Sequence, residues 1–134
     1  MLLVSQPATG DNLCNNEILY EFLAGHYILI GKEMESDITY SGTVDFTYEN
    51  GRLFVTREVA GKIAKGVGKM EPALGPDKVN VLRIRFSQAG QDYEITYLWQ
   101  SDLDNYARLS GYLYQPGKST NSPGMEVLFA DHSR

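Results

Sequence analysis

Ile38-Thr39-Tyr40-Ser41-Gly42-Thr43-Val44-Asp45-Phe46-Thr47-Tyr48, then Glu49-Asn50-Gly51-Arg52, then Leu53-Phe54-Val55-Thr56-Arg57-Glu58-Val59 is the stretch that decides the fold. In its first arm the even positions are Ile38, Tyr40, Gly42, Val44, Phe46 and Tyr48, and the odd ones are Thr39, Ser41, Thr43, Asp45 and Thr47. Strict alternation of this length places the larger apolar side chains on one face of a β-strand and the small polar ones on the other. Asn50-Gly51 is the pair best able to hold positive φ at both centres of a type I′ turn, so the arms are expected to close as a tight antiparallel hairpin.

Working outward, short strands recur on both sides. Before the hairpin, residues 1–15 read as a flexible lead-in. Asn15 or Asn16 then caps a short helical turn, with Ile18/Phe22 and Leu19/Leu23 at i,i+4 spacing. Ala24-Gly25 ends that turn, and Tyr27-Ile28-Leu29-Ile30 begins a first strand. After Val59, Ala60-Gly61-Lys62 reads as a second tight turn. In the strand from Ile63 to Met70 one face carries only Ala64, Gly66, Gly68 and Met70; small residues there suit a tightly curved sheet. The prolines and glycine of Glu71–Lys78 mark a loop before a strand over 79–86, which Ser87-Gln88-Ala89-Gly90 turns. Further strands follow at Tyr93–Trp99, Tyr106–Tyr114 and Met125–Ala130, ending in a frayed tail from Asp131.

Eight short strands joined mostly by tight turns predict an all-β, antiparallel up-and-down meander. Closing such a meander into a barrel removes its exposed edges, and at eight strands the interior holds packed side chains or one small ligand. An open sandwich is the alternative. The organisation expected is a lead-in at 1–15 and a single barrel domain over 16–134.

Composition narrows the function classes. With 134 residues the chain can bury a core without disulfides or metal staples. Its 43% hydrophobic and 22% charged residues suit a globular domain. A net charge of −5 argues against a nucleic-acid partner and, more weakly, against an anionic membrane surface. Cys14 is alone, so no internal disulfide forms, which fits a reducing compartment. No basic leader or long apolar run marks a signal peptide or membrane span, and a cytoplasmic location is expected. Two histidines far apart in sequence give no metal cluster, and nothing calls for a cofactor.

The helical lead-in, Leu23-Ala24-Gly25-His26-Tyr27 entering the first strand, and the up-and-down order resemble the calycin superfamily of lipocalins, fatty-acid-binding proteins and avidins. Gly25-His26-Tyr27 is similar to the Gly-x-Trp motif of lipocalins, with Tyr27 in the place of the tryptophan that plugs the closed end. The resemblance implies a calycin-like barrel that binds a small molecule. Two departures stand against a named subfamily: no helix follows the last strand, and that strand has no arginine to stack over the plug. Arg108, one strand earlier, is the substitute considered.

The candidate ligand-binding set is Tyr27, Tyr40, Phe46, Tyr93, Tyr97, Trp99 and Arg108. Aromatic side chains with polar tips can line a cavity and orient a ligand, and equally can fill a core. Arg83 and Arg85 read as outer-face residues. Arg108 could meet a ligand carboxylate if it shared the inner face with Tyr106, Ser110 and Tyr112, although Leu109 and Leu113 argue for the reverse register. No histidine or second carboxylate near Asp45 or Glu94 in sequence makes either an obvious general base. Asp102-Leu103-Asp104-Asn105 lacks the glycine and distant glutamate of a calcium loop, and Gly66-Val67-Gly68-Lys69 lacks phosphate-loop spacing.

These readings favour binding of a small, partly apolar ligand without catalysis. An isomerase- or hydrolase-type barrel enzyme using a buried charge, and a filled barrel serving as an interaction or homodimer module, are the alternatives.

Overall fold

The computed structural model describes residues 17–72, 80–101 and 107–131, and in 99–101 and 107–108 the backbone alone. The lead-in at 1–15, the Asn15/Asn16 cap, Cys14, most of the Pro-containing loop after Glu71, the turn near Asp102 and the side chains of Trp99 and Arg108 fall outside that description.

A short helix, α1, spans residues 17–23. Eight strands follow: β1 Gly25–Lys32, β2 Thr39–Glu49, β3 Arg52–Val59, β4 Lys62–Pro72, β5 Asn80–Gln88, β6 Gln91–Ser101, β7 Ala107–Tyr114 and β8 Gly124–Ala130. Each pairs antiparallel with its neighbours, and β1 pairs with β8, so the meander closes into a barrel. The expected topology is the one found, and the sandwich is not. Several strand ends run one or two residues beyond the sequence reading, as ladder pairing extends past the apolar runs.

The deciding hairpin forms in the expected register, with Phe46 opposite Val55 and Glu49 opposite Arg52. Asn50 and Gly51 take φ of 53° and 80°, both left-handed as a type I′ turn requires. Val44, Phe46, Leu53 and Val55 are buried on the inner face. On β4 the small face points inward, and a Cβ added to Gly66 would lie 2.2 Å from the Arg85 carbonyl oxygen. That close approach is how the wall curves. On β7 the inward residues are Leu109, Gly111 and Leu113, while Tyr112 stands outside, which answers the open register question.

The two ends of the barrel differ. At one end α1 lies against the core: Leu23 and Tyr27 are buried and the Tyr27 hydroxyl donates to the Leu23 carbonyl at 2.8 Å. Phe46 meets Tyr27 edge-on at 5.3 Å. The Tyr20 hydroxyl accepts from the Met70 amide at 2.9 Å. At the other end the 33–38 and 115–123 loops are tied by Glu35, whose carboxylate accepts from the amides of Asn121 and Ser122 at 3.0 and 2.7 Å.

Candidate functional site

Along β3 the inward positions run Leu53, Val55, Arg57, Val59, and along β8 they run Gly124, Glu126, Leu128, Ala130. Pleating therefore sends one arginine and one glutamate into an otherwise apolar interior. They meet there. Arg57 donates through Nη1 to Glu126 Oε1 and through Nη2 to Glu126 Oε2, both at 2.7 Å. Both side chains are buried, Arg57 with 7% of its side chain exposed and Glu126 with none.

Two tyrosines complete the cluster. The Tyr97 hydroxyl donates to Oε1 at 2.8 Å and the Tyr40 hydroxyl to Oε2 at 2.5 Å. The carboxylate thus accepts four hydrogen bonds and its charge is matched bidentately, the arrangement a buried carboxylate needs to offset lost hydration. Burial raises the pKa of the Tyr97 hydroxyl well above its ordinary value, and the Glu126 charge adds to this. Tyr40 is shifted the same way for the same reasons. Both phenols hold their protons and keep donating. Burial alone would lower the Arg57 pKa, but the hydrogen bonds and charge of Glu126 outweigh it and the guanidinium is held more firmly cationic.

Above this cluster lies a cavity of about 400 Å³ at the end away from α1, and Arg57 and Tyr40 form part of its lining. Met34, Val59, Phe86, Tyr93 and Leu113 supply apolar surface there, with Glu33, Lys62 and Gln88 among its polar lining. The guanidinium sits 4.6 Å from the Phe86 ring centroid, and Tyr93 stacks on Phe86 at 5.3 Å. Stacking fixes the cation without consuming its N–H groups. Two of its five N–H groups go to Glu126, and the Tyr40 oxygen lies beside it. At least two therefore have no acceptor among the described residues.

The sequence-predicted set divides across the barrel. Tyr40 and Tyr93 line this cavity and Tyr97 lies beneath it, bonded to Glu126. Tyr27 and Phe46 stand at the opposite end, against α1. The side chains of Trp99 and Arg108 lie outside the described residues. Arg57 and Glu126 were missed. The available signal was a charged residue at an inward position of an alternating strand: Arg57 falls in phase with Leu53, Val55 and Val59.

Outside, Arg83 and Arg85 face away from the core as expected, and both pair with Glu71, at 3.0 and 2.8 Å. Arg85 also pairs with Glu94 at 2.9 Å, and Tyr114 donates to Glu94. The hydrogen bond from Arg85 foremost, and then that from Arg83, hold Glu71 below the usual carboxylate range although burial opposes them. Asp45 corrects the sequence reading in one respect. The β1–β2 register sets His26 directly opposite it, with Nδ1 2.6 Å from Asp45 Oδ1 and Nε2 3.8 Å from Asp131 Oδ2. Sequence distance concealed that pairing.

Among the described residues no group of three or more His, Cys, Asp or Glu is placed to hold a metal ion, and no helix is long and apolar enough to cross a membrane. No known family model matches the chain, and no curated protein matches it.

Proposed function

We propose that this protein is a calycin-like barrel that binds a small, partly apolar molecule in the cavity at its open end and releases it unchanged. The observation that carries this reading is the buried Arg57 guanidinium, fixed by Glu126 and Phe86, with N–H groups left over beside an apolar space. A few convergent polar groups in a mostly apolar concavity are the usual makings of a ligand site. Binding is favoured over catalysis because Glu126, the buried carboxylate, already accepts four hydrogen bonds and has little capacity left to take a substrate proton. A cytoplasmic setting, with neither nucleic acid nor membrane as partner, fits the charge of −5 and the single cysteine.

The test is binding of the neutral apolar fluorophore Nile red, followed by its emission. The native chain is expected to bind it saturably. Val59→Trp, which fills the mouth and leaves Arg57 itself unsubstituted, is expected to abolish the signal. Failure of the native chain to bind, or binding that ignores Val59→Trp, overturns the reading.

Self-association is a second reading, favoured by a separate observation. Ile28, Ile30, Tyr112, Met125 and Phe129 stand exposed on the adjacent strands β1, β8 and β7. These outward positions carry no charge in a chain of net charge −5, so a second copy meets least repulsion there. Light scattering of native chain and Met125→Glu decides it: a dimer made monomeric by the substitution supports this reading, and a monomeric native chain ends it.

A further inference from the structure

Resting on the open-end cavity as a binding site, we infer that its ligand is uncharged and presents a hydrogen-bond acceptor of the carbonyl, amide or ester type to Arg57, and is not a free carboxylate. A lone buried arginine would select an anion. This one is not alone. Its charge is already answered by Glu126 through two 2.7 Å bonds, and the carboxylate is held in place by Tyr40 and Tyr97.

The charges around the space confirm the balance. Arg57 and Lys62 bring two positive charges to the lining, Glu33 brings one negative charge, and Glu126 brings another from directly behind Arg57. At neutral pH the described site carries no net charge. An entering carboxylate would lose its hydration and receive only the outer N–H groups of a guanidinium whose positive field is largely cancelled, with Glu126 repelling it from beyond. A neutral carbonyl loses far less on leaving water. It still accepts from the N–H groups, which a wholly apolar ligand would cut off from water without a partner. Hydrogen-bond donation survives the neutralisation, and charge attraction does not.

Phe86 and Tyr93 extend this selection. Their stacked rings, 5.3 Å apart, put a flat apolar wall beside the guanidinium. A ligand whose polar group reaches Arg57 therefore lays its apolar part along Phe86, Tyr93, Leu113 and Val59.

The experiment compares three molecules with one tail, decanoic acid, decanamide and methyl decanoate, as competitors for Nile red at neutral pH. The amide and ester are expected to displace the dye at roughly tenfold or more lower concentration than the ionised acid, since an unmatched buried charge is the costlier species. Glu126→Gln removes the balancing charge and is expected to narrow or reverse the order. Glu33→Gln, at an exposed position on the rim, shifts the order the same way by less and keeps the test open if the first variant fails to fold. A native chain that prefers the acid, or binds acid and amide alike, overturns the inference while leaving the cavity a binding site. Absence of Nile red binding overturns the site itself. The two failures are therefore distinct.

Discussion

The two ends of this barrel solve the same packing problem in opposite ways. At the α1 end Leu23, Tyr27, Phe46 and Leu53 pack the described interior, the Tyr27 hydroxyl finds its acceptor in Leu23, and a groove of about 470 Å³ runs beside α1 past Tyr20, Tyr48 and Gly68. At the other end the corresponding volume holds an arginine and a glutamate under an open cavity. Hydrocarbon would have stabilised that end more simply, because desolvating two charges consumes most of what their attraction returns. The contrast teaches where to look for function. One end packs its described interior with hydrocarbon and a partnered phenol, whereas the other sets a buried guanidinium in the wall of a space.

The largest effect is expected from breaking the pair on one side only. Glu126→Ala leaves Arg57 buried without its counter-charge and two tyrosines without their acceptor. It should cost about 3–5 kcal/mol in urea denaturation. Leu53→Ala, at the α1 end, should cost about 2–5 kcal/mol by cavity formation alone. The sharper test replaces the whole cluster with hydrocarbon: Arg57→Met, Glu126→Leu, Tyr40→Phe and Tyr97→Phe together. Stability should then be unchanged or higher by about 1–4 kcal/mol, with Nile red displacement by decanamide lost. A quadruple variant that unfolds would show that the pair serves the fold rather than the cavity.

Alkaline pH weakens both ends, and the sign follows from the phenols. Burial pushes the Tyr27 pKa up to about 12, and Tyr40 and Tyr97 are raised by burial and by Glu126. A phenol whose pKa rises on folding holds its proton more tightly in the folded chain. Its contribution to stability is whole below its unfolded value near 10 and is lost as pH climbs through the folded value. Tyr27 alone then removes about 2–3 kcal/mol between roughly pH 10 and 12. Denaturant midpoints should fall steeply over that range, and the fall should be shallower in Tyr27→Phe. Equal slopes in the two chains would contradict the burial of that hydroxyl.

The sequence made the container readable because its signals are local. Alternation in Thr39–Tyr48 and the Asn50-Gly51 turn each act within a few residues, and repeating such pairs leaves a meander little choice but to close. Gly25-His26-Tyr27 marks Tyr27 by resemblance rather than by pattern, and its buried hydroxyl meets a carbonyl only four residues away, that of Leu23. The open-end cluster was not. Arg57 and Glu126 lie 69 positions apart, and nothing local says that β3 and β8 face one another across a closed sheet. Aromatic content drew attention to Phe46 as readily as to Tyr93, because an aromatic on an inward position looks the same whether it fills a core or lines a mouth. The charge standing in phase at Arg57 held the information, and it needed to be read as a choice rather than an exception.

The smallest expected effect concerns the turns, which differ between the ends as the interiors do. The α1 end uses Asn50-Gly51, whereas the open end uses Ala60-Gly61 and Ala89-Gly90. Ala60 and Ala89 take φ of 55° and 52°, a left-handed backbone that costs alanine roughly 1–2 kcal/mol and asparagine less. Ala60→Asn and Ala89→Asn should each raise stability by about 0.5–1 kcal/mol, and Asn50→Ala should lower it by a similar amount. Ligand affinity separates the two gains. Ala60 lines the cavity beside Val59 and Lys62, and a larger polar side chain there intrudes on the space. Ala60→Asn is therefore expected to gain stability and lose Nile red affinity, while Ala89→Asn gains stability with affinity unchanged. If both substitutions leave affinity alone, the strained alanine at position 60 owes nothing to the ligand, and the open end's departure from good turn chemistry has another origin.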